Sequence, residues 1–124
     1  MKIEVSNGEI IDKLTILKIK EAKITSSQKL SNVKNELELL EPLAEQIGMT
    51  EESEVYRDLL LVNAQLWEVE DNIRKKENLK EFDEEFISLA RSAYMLNDER
   101  CVIKKKINTV TKSFLIEEKN HDLS

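Results

Sequence analysis

One proline and two glycines in 124 residues leave this chain few places to turn. A turn-rich sheet protein needs more of both, so the shortage disfavours β-sandwiches and barrels and favours long helices. The single cysteine, Cys101, has no partner for an internal disulfide and suits a reducing compartment, which makes a cytoplasmic location the expectation. It has no histidine beside it in sequence and reads as a small packing residue. His121 is the one histidine; Glu118-x-x-His121 matches half of a carboxylate-bridged di-iron motif, but the second copy that such a site needs is missing. No apolar run approaches the ~18 residues of a membrane span, and the opening residues contain no apolar signal core, so no membrane association is expected. There is no P-loop, dinucleotide fingerprint or zinc spacing, and no cofactor is expected.

What the chain does have is charge: 35% of its residues are Asp, Glu, Lys or Arg, with a net charge of −6. That sign argues against a nucleic-acid track. The basic run Lys104-Lys105-Lys106 does not overturn this, because three consecutive helical residues point in different directions. The length fits one helical domain over 1–124, with a short N-terminal arm over 1–6 and a flexible tail over 117–124.

The apolar residues carry the architecture. Leu30, Val33, Leu37, Leu40, Ala44 and Ile47 recur at steps of three and four, as do Val55, Leu59, Val62, Leu66, Val69 and Ile73. A third series runs from Phe82 to Phe114. This is the seam of packed, nearly parallel or antiparallel helices. The expected fold is all-α: an antiparallel bundle of four heptad-patterned helices near 7–24, 28–47, 51–77 and 83–114, with Leu59, Leu66, Ile73, Phe86, Leu89, Ile103 and Ile107 along the main seam.

Boundaries follow from local chemistry. Ser6-x-x-Glu9 has the form of a capping box and starts the first helix at Asn7, with Ile10, Ile11, Leu14, Leu17 and Ile24 turned inward. Thr25-Ser26-Ser27 caps the second, which ends where Gly48 can turn left-handed. Pro42 lies inside it and is expected to kink or divide it near Glu41. Thr50, Glu51 and Glu52 suit the start of the third helix. That helix carries a second apolar stripe through Tyr56, Leu60 and Trp67, more apolar face than one hairpin partner covers. A homodimer is therefore expected, with a further protein partner possible.

Chemistry is sparser. Folding the last two helices about residues 79–82 sets Arg91 opposite Glu70 and Asp71, Tyr94 opposite Trp67, and Asn97 or Asp98 opposite Asn63. Arg100 falls on the apolar stripe between Leu96 and Ile103, where an unpaired guanidinium would be costly. Two readings stand. One is a buried ion pair that fixes register, with Asp12 and Glu70 as candidate partners. The other is a ligand site: Arg91, Arg100 and Lys104 hold an anionic group between Trp67 and Tyr94, with Glu70, Asp71, Asn97 and Asp98 alongside and Asp12 and Lys13 joining from the first helix. Glu51-x-x-Glu54 and Glu68-x-x-Asp71 also match the carboxylate spacing of magnesium-dependent nucleotide pyrophosphohydrolases. Glu54 falls too near a helix start to share a metal with the other pair.

Three segments carry a resemblance: Glu4-Val-Ser-Asn-Gly-Glu-Ile-Ile-Asp-Lys-Leu-Thr-Ile-Leu-Lys-Ile-Lys20, Leu66-Trp-Glu-Val-Glu-Asp-Asn-Ile-Arg74, and Phe86-Ile-Ser-Leu-Ala-Arg-Ser-Ala-Tyr94 with Asn97-Asp-Glu-Arg100. In these the chain resembles a small domain-of-unknown-function family of bacteria and phage-like genomes, over nearly its whole length. The resemblance implies a stand-alone helical protein and carries over no activity or catalytic residue. The functional expectation is an association or adaptor module rather than an enzyme, with enzymatic activity left open. The rival is a small anionic-ligand protein or enzyme with a polar site between helices.

Overall fold

The first backbone N–H groups of a helix have no partner within it, and at the start of the first helix those of Asn7, Gly8 and Glu9 each find one elsewhere. The Ser6 hydroxyl accepts from the Glu9 amide at 3.1 Å, and the Ser6 carbonyl accepts from Ile10 at 3.2 Å. The Asn7 amide donates to the Ser113 hydroxyl at 2.9 Å and the Gly8 amide to Asn108 Oδ1 at 2.6 Å. Two of these three side-chain acceptors thus come from residues about a hundred positions away. The computed structural model describes residues 1–113, folded into α1 (Asn7–Lys23), α2 (Ser27–Ile47), α3 (Glu54–Leu79) and α4 (Glu84–Val110). Among the described residues there is no strand. The tail expected over 117–124 lies outside them.

The second cap is Ser26, whose hydroxyl accepts from Lys29, and α2 ends at Gly48 in the left-handed region with φ +79°. Of the two outcomes expected at Pro42, a kink or a division, division does not occur: the helix continues to Ile47. The carbonyl that Pro42 cannot serve belongs to Glu38, an exposed residue on the solvent side of the helix, so losing that donor does not leave a carbonyl in the core. The start of α3 moves from 51 to 54. The Ser53 amide turns back to the Thr50 carbonyl at 2.8 Å, and the Arg57 guanidinium takes the carbonyls of Glu51 and Glu52, both at 3.0 Å, which holds residues 50–53 as a turn. Between α3 and α4, Lys76 Nζ gathers Glu81, Asp83 and Glu85 within 3.0–3.1 Å, while Asp83 caps Phe86.

The helices do not surround a common axis. α3 and α4 form a long hairpin, α1 packs on its base against both, and α2 packs on α1 without its backbone coming alongside α3 or α4. α1 is therefore the shared element, and the core lies around it: Ile11, Leu14, Leu17, Val33, Leu37, Ala44, Met49, Tyr56, Leu59 and Ile107. Of the expected main seam, Leu59, Leu66 and Ile107 are buried. Ile73, Phe86, Leu89 and Ile103 are only half-buried, Ile103 at the edge of the core against which it packs. For the other three the reason is length: α1 spans about 25 Å and α3 about 39 Å at 1.5 Å per residue, so the distal hairpin projects past its cover. The second stripe of α3 divides in the same way: Tyr56 enters the core, Leu60 packs against it, and Trp67 is half-buried.

Candidate functional site

Four polar contacts in succession join α1 to α4 and its C-cap. Gly8 is buried beneath Asn108, Asn7 Nδ2 donates to the Thr111 hydroxyl at 2.9 Å, and Lys104 Nζ donates to Glu9 Oε2 at 2.7 Å. One helical turn further, Asp12 is buried and both its carboxylate oxygens accept from Arg100: Nε donates to Oδ1 at 2.8 Å, and Nη2 closes a short bond to Oδ2. This is the two-pronged geometry that a guanidinium forms with a carboxylate. Asn63 on α3 completes the layer, donating to Asp12 Oδ1 at 3.0 Å and to the Thr15 hydroxyl at 2.9 Å; Thr15 in turn donates to the Asp12 carbonyl. Arg100 Nη1 also donates to Asn97 Oδ1 at 3.4 Å.

The electrostatics agree with the distances. The hydrogen bond to Asp12 raises the affinity of Arg100 for its proton against the opposing effect of burial. For Lys104, burial pulls the pKa down, but the bond to Glu9 and the nearby charge of Asp12 outweigh it and the net direction is upward. Both cations are committed to carboxylates. Among the described residues no buried side-chain nitrogen or oxygen lacks a partner.

The structure gathers Asp12, Asn97, Arg100 and, one turn away, Lys104. It does not bring the other candidates into the same place. Lys13 is exposed beside Glu36 at 3.3 Å, and Asp71 pairs with Lys75 along its own helix at 3.3 Å. Glu70, Arg91 and Tyr94 are exposed, and Trp67 and Asp98 are half-buried. Arg91 lies about 13 Å along α4 from Arg100 and lines a shallow groove on the outer face of that helix with Glu84, Ile87, Ser88, Ser92 and Met95. The acidic pairs of the magnesium spacing do not assemble either. Glu54 and Glu68 lie about 21 Å apart on α3, and Glu68 is held by Lys23 at 2.7 Å. Among the described residues no group of three or more His, Cys, Asp or Glu side chains could hold a metal ion.

A cleft of about 270 Å³ does border the Asp12–Arg100 pair, between Glu9, Lys13, Lys20 and Glu36. Its charges alternate in sign, and its innermost pair, Asp12 and Arg100, is closed. Sequence reasoning missed Thr15 and Asn108 and set Asn63 only opposite Asn97 or Asp98; all three are polar residues on otherwise apolar faces. Their signal was that position alone, and only the third dimension shows that Asn63 and Asn108 meet α1, Asn63 through Asp12 and Thr15, and Asn108 through Gly8.

The family described as a family of unknown function, DUF6165, matches residues 1–124. The chain belongs to DUF6165. No curated protein and no solved structure matches it. No helix of the described residues is long and apolar enough to cross a membrane.

Proposed function

We propose that the protein is an association module that pairs with a second copy of itself through the outer face of α4. One observation carries this reading. Ile87, Tyr94, Met95 and Val102 recur at helical spacing on α4, and each is about half exposed, in a helix whose other face already serves the seam with α3. The polar residues on that face support a second copy as the occupant. Glu84 and Arg91 make no ion pair among the described residues, and Ser88 and Ser92 are small enough to let another helix approach. In an antiparallel pairing centred between Ile87 and Ser88, Glu84 of each copy meets Arg91 of the other, so one contact is made twice by symmetry. The ligand-site reading has less support, because Arg100 and Lys104 already spend their donors on Asp12 and Glu9.

Analytical ultracentrifugation of the protein and three charge variants tests the proposal. The unaltered chain is expected to dimerise. Arg91→Glu and Glu84→Arg should each weaken the dimer by setting like charges together, and the double exchange should restore it. A monomer at high concentration, or a dimer indifferent to all three variants, overturns the reading.

A further inference from the structure

Between the end of α2, the 48–53 connection and the first turn of α3 lies a cleft of about 510 Å³, separate from both the Asp12 layer and the α4 face. Four glutamates border it: Glu41, Glu45, Glu51 and Glu52. Among the described residues the one cation lining it is Lys18, already engaged, with Nζ 2.9 Å from Glu41 and 3.9 Å from Glu51, while Arg57 beside it is held by the carbonyls of Glu51 and Glu52. Glu45 and Glu52 make no ion pair among the described residues. The last turn of α2 also carries no basic residue, so the negative end of its dipole adds to the same field.

Charge alone would not make this a site. Tyr56 supplies the independent observation: its side chain lines the cleft with the residue 98% buried, yet among the described residues its hydroxyl makes no hydrogen bond. Every fully buried side-chain nitrogen or oxygen among the described residues has a partner, so this hydroxyl keeps an open edge, and the cleft that its side chain lines is where that edge faces. Burial raises its pKa, so it stays a neutral hydroxyl with a lone pair to offer at physiological pH. Around it Leu14, Ala44 and Met49 form an apolar floor.

We infer that this cleft binds a primary alkylammonium group. The ammonium would donate to the Tyr56 hydroxyl and to Glu45 or Glu52, and its methylene stem would lie on Leu14, Ala44 and Met49. The sign of the field decides against an anion: phosphate would meet four carboxylates and a lysine already held by two of them. The absence of any carboxylate trio close enough for a metal ion, among the described residues, favours an organic cation over an inorganic one. The volume falls within the usual range of small-molecule clefts, roughly 300–1,000 Å³.

Two probes share this chemistry and separate its possible sources: 1,5-diaminopentane for a free amine, and a terminally blocked lysine peptide for a side chain on a partner protein. Their binding is followed through the backbone amide resonances of Met49, Thr50 and Tyr56 at low ionic strength. At least one probe should shift these resonances saturably, and the tighter of the two identifies the source. The exposed pair Glu45→Gln and Glu52→Gln should weaken binding about tenfold, the effect of one charge-assisted hydrogen bond. Tyr56→Phe, which keeps the ring in the core, should weaken it about threefold. Inorganic phosphate should leave the resonances in place. The inference fails if neither probe shifts them up to about 10 mM, if the glutamine pair binds with unchanged affinity, or if phosphate produces the same shifts.

Discussion

Gly8 approaches α4 so closely that a β-carbon in its place would stand 2.5 Å from the Lys104 carbonyl oxygen. The neighbour is backbone and cannot swing aside, so this glycine sets the distance between α1 and α4. Gly8→Ala should force the two helices apart and destabilise the protein by about 1–3 kcal/mol. Gly48→Ala is the comparison. Nothing lies within 4 Å of that position, and its cost of about 1–2 kcal/mol would come from the left-handed backbone alone. Urea titrations read both, and a separate signature distinguishes them: only Gly8→Ala should perturb the amide resonances of α4.

The Asp12–Arg100 pair should be worth more in its completeness than in its charge. Arg100→Met keeps much of the stem but leaves a carboxylate in a buried layer with only Asn63 to serve it, at a cost of about 3–5 kcal/mol. Replacing both residues with apolar ones of similar volume should recover most of that loss. A double-mutant cycle in denaturant measures the coupling, and a near-zero value would mean that the two residues act independently.

Position along the hairpin should set the cost of truncating its apolar residues. Leu59 is fully buried against α1, and Leu59→Ala is expected to cost about 2–5 kcal/mol. Ile73 and Leu89, half-buried in the projecting part, should cost clearly less on the same change. Equal costs would mean that the distal hairpin is covered in solution, as the proposed dimer would allow in part.

Stability should decline at both ends of the pH scale for identifiable reasons. Tyr56 and Lys104 have raised pKa values in the folded chain, so their contribution is complete below about pH 10, where the unfolded groups titrate, and is lost as pH rises through the folded values. Tyr56→Phe should make the alkaline decline shallower. Asp83 moves the other way: the Phe86 amide, then Lys76, lowers its pKa. Its contribution is present above about pH 4 and is lost as pH falls through the folded value. Amide exchange at Phe86 should accelerate on acidification before the core exchanges.

Local chemistry made the ends of α1 and α2 legible, because Ser6, Ser26 and Gly48 act within a few residues of themselves. Arg100 was legible as an anomaly on an apolar stripe, and Asp12 was one of its two candidate partners. What periodicity could not convey is which helix covers which stretch of a stripe. A heptad pattern looks the same under α1 as beyond its reach, so Ile73, Phe86 and Leu89 read as core, and Arg91 and Tyr94 read as part of one inter-helix site. The cleft beneath Tyr56 left no sequence trace, since its walls come from α1, α2, α3 and a connection with no shared spacing.

The cap of α1 also bears on the order in which the chain acquires its structure during synthesis. The amides of Asn7 and Gly8 are satisfied by Ser113 and Asn108, and Asp12 by Arg100, across separations of 106, 100 and 88 residues. A nascent chain holding only α1 and α2 has the apolar faces of both but no acceptor for those donors and no cation for that carboxylate. Closing such long loops also costs entropy before any contact repays it. The N-terminal helix, first to be made, is thus among the last to be fastened, and its final register waits for the residues near 108–113 to leave the ribosome.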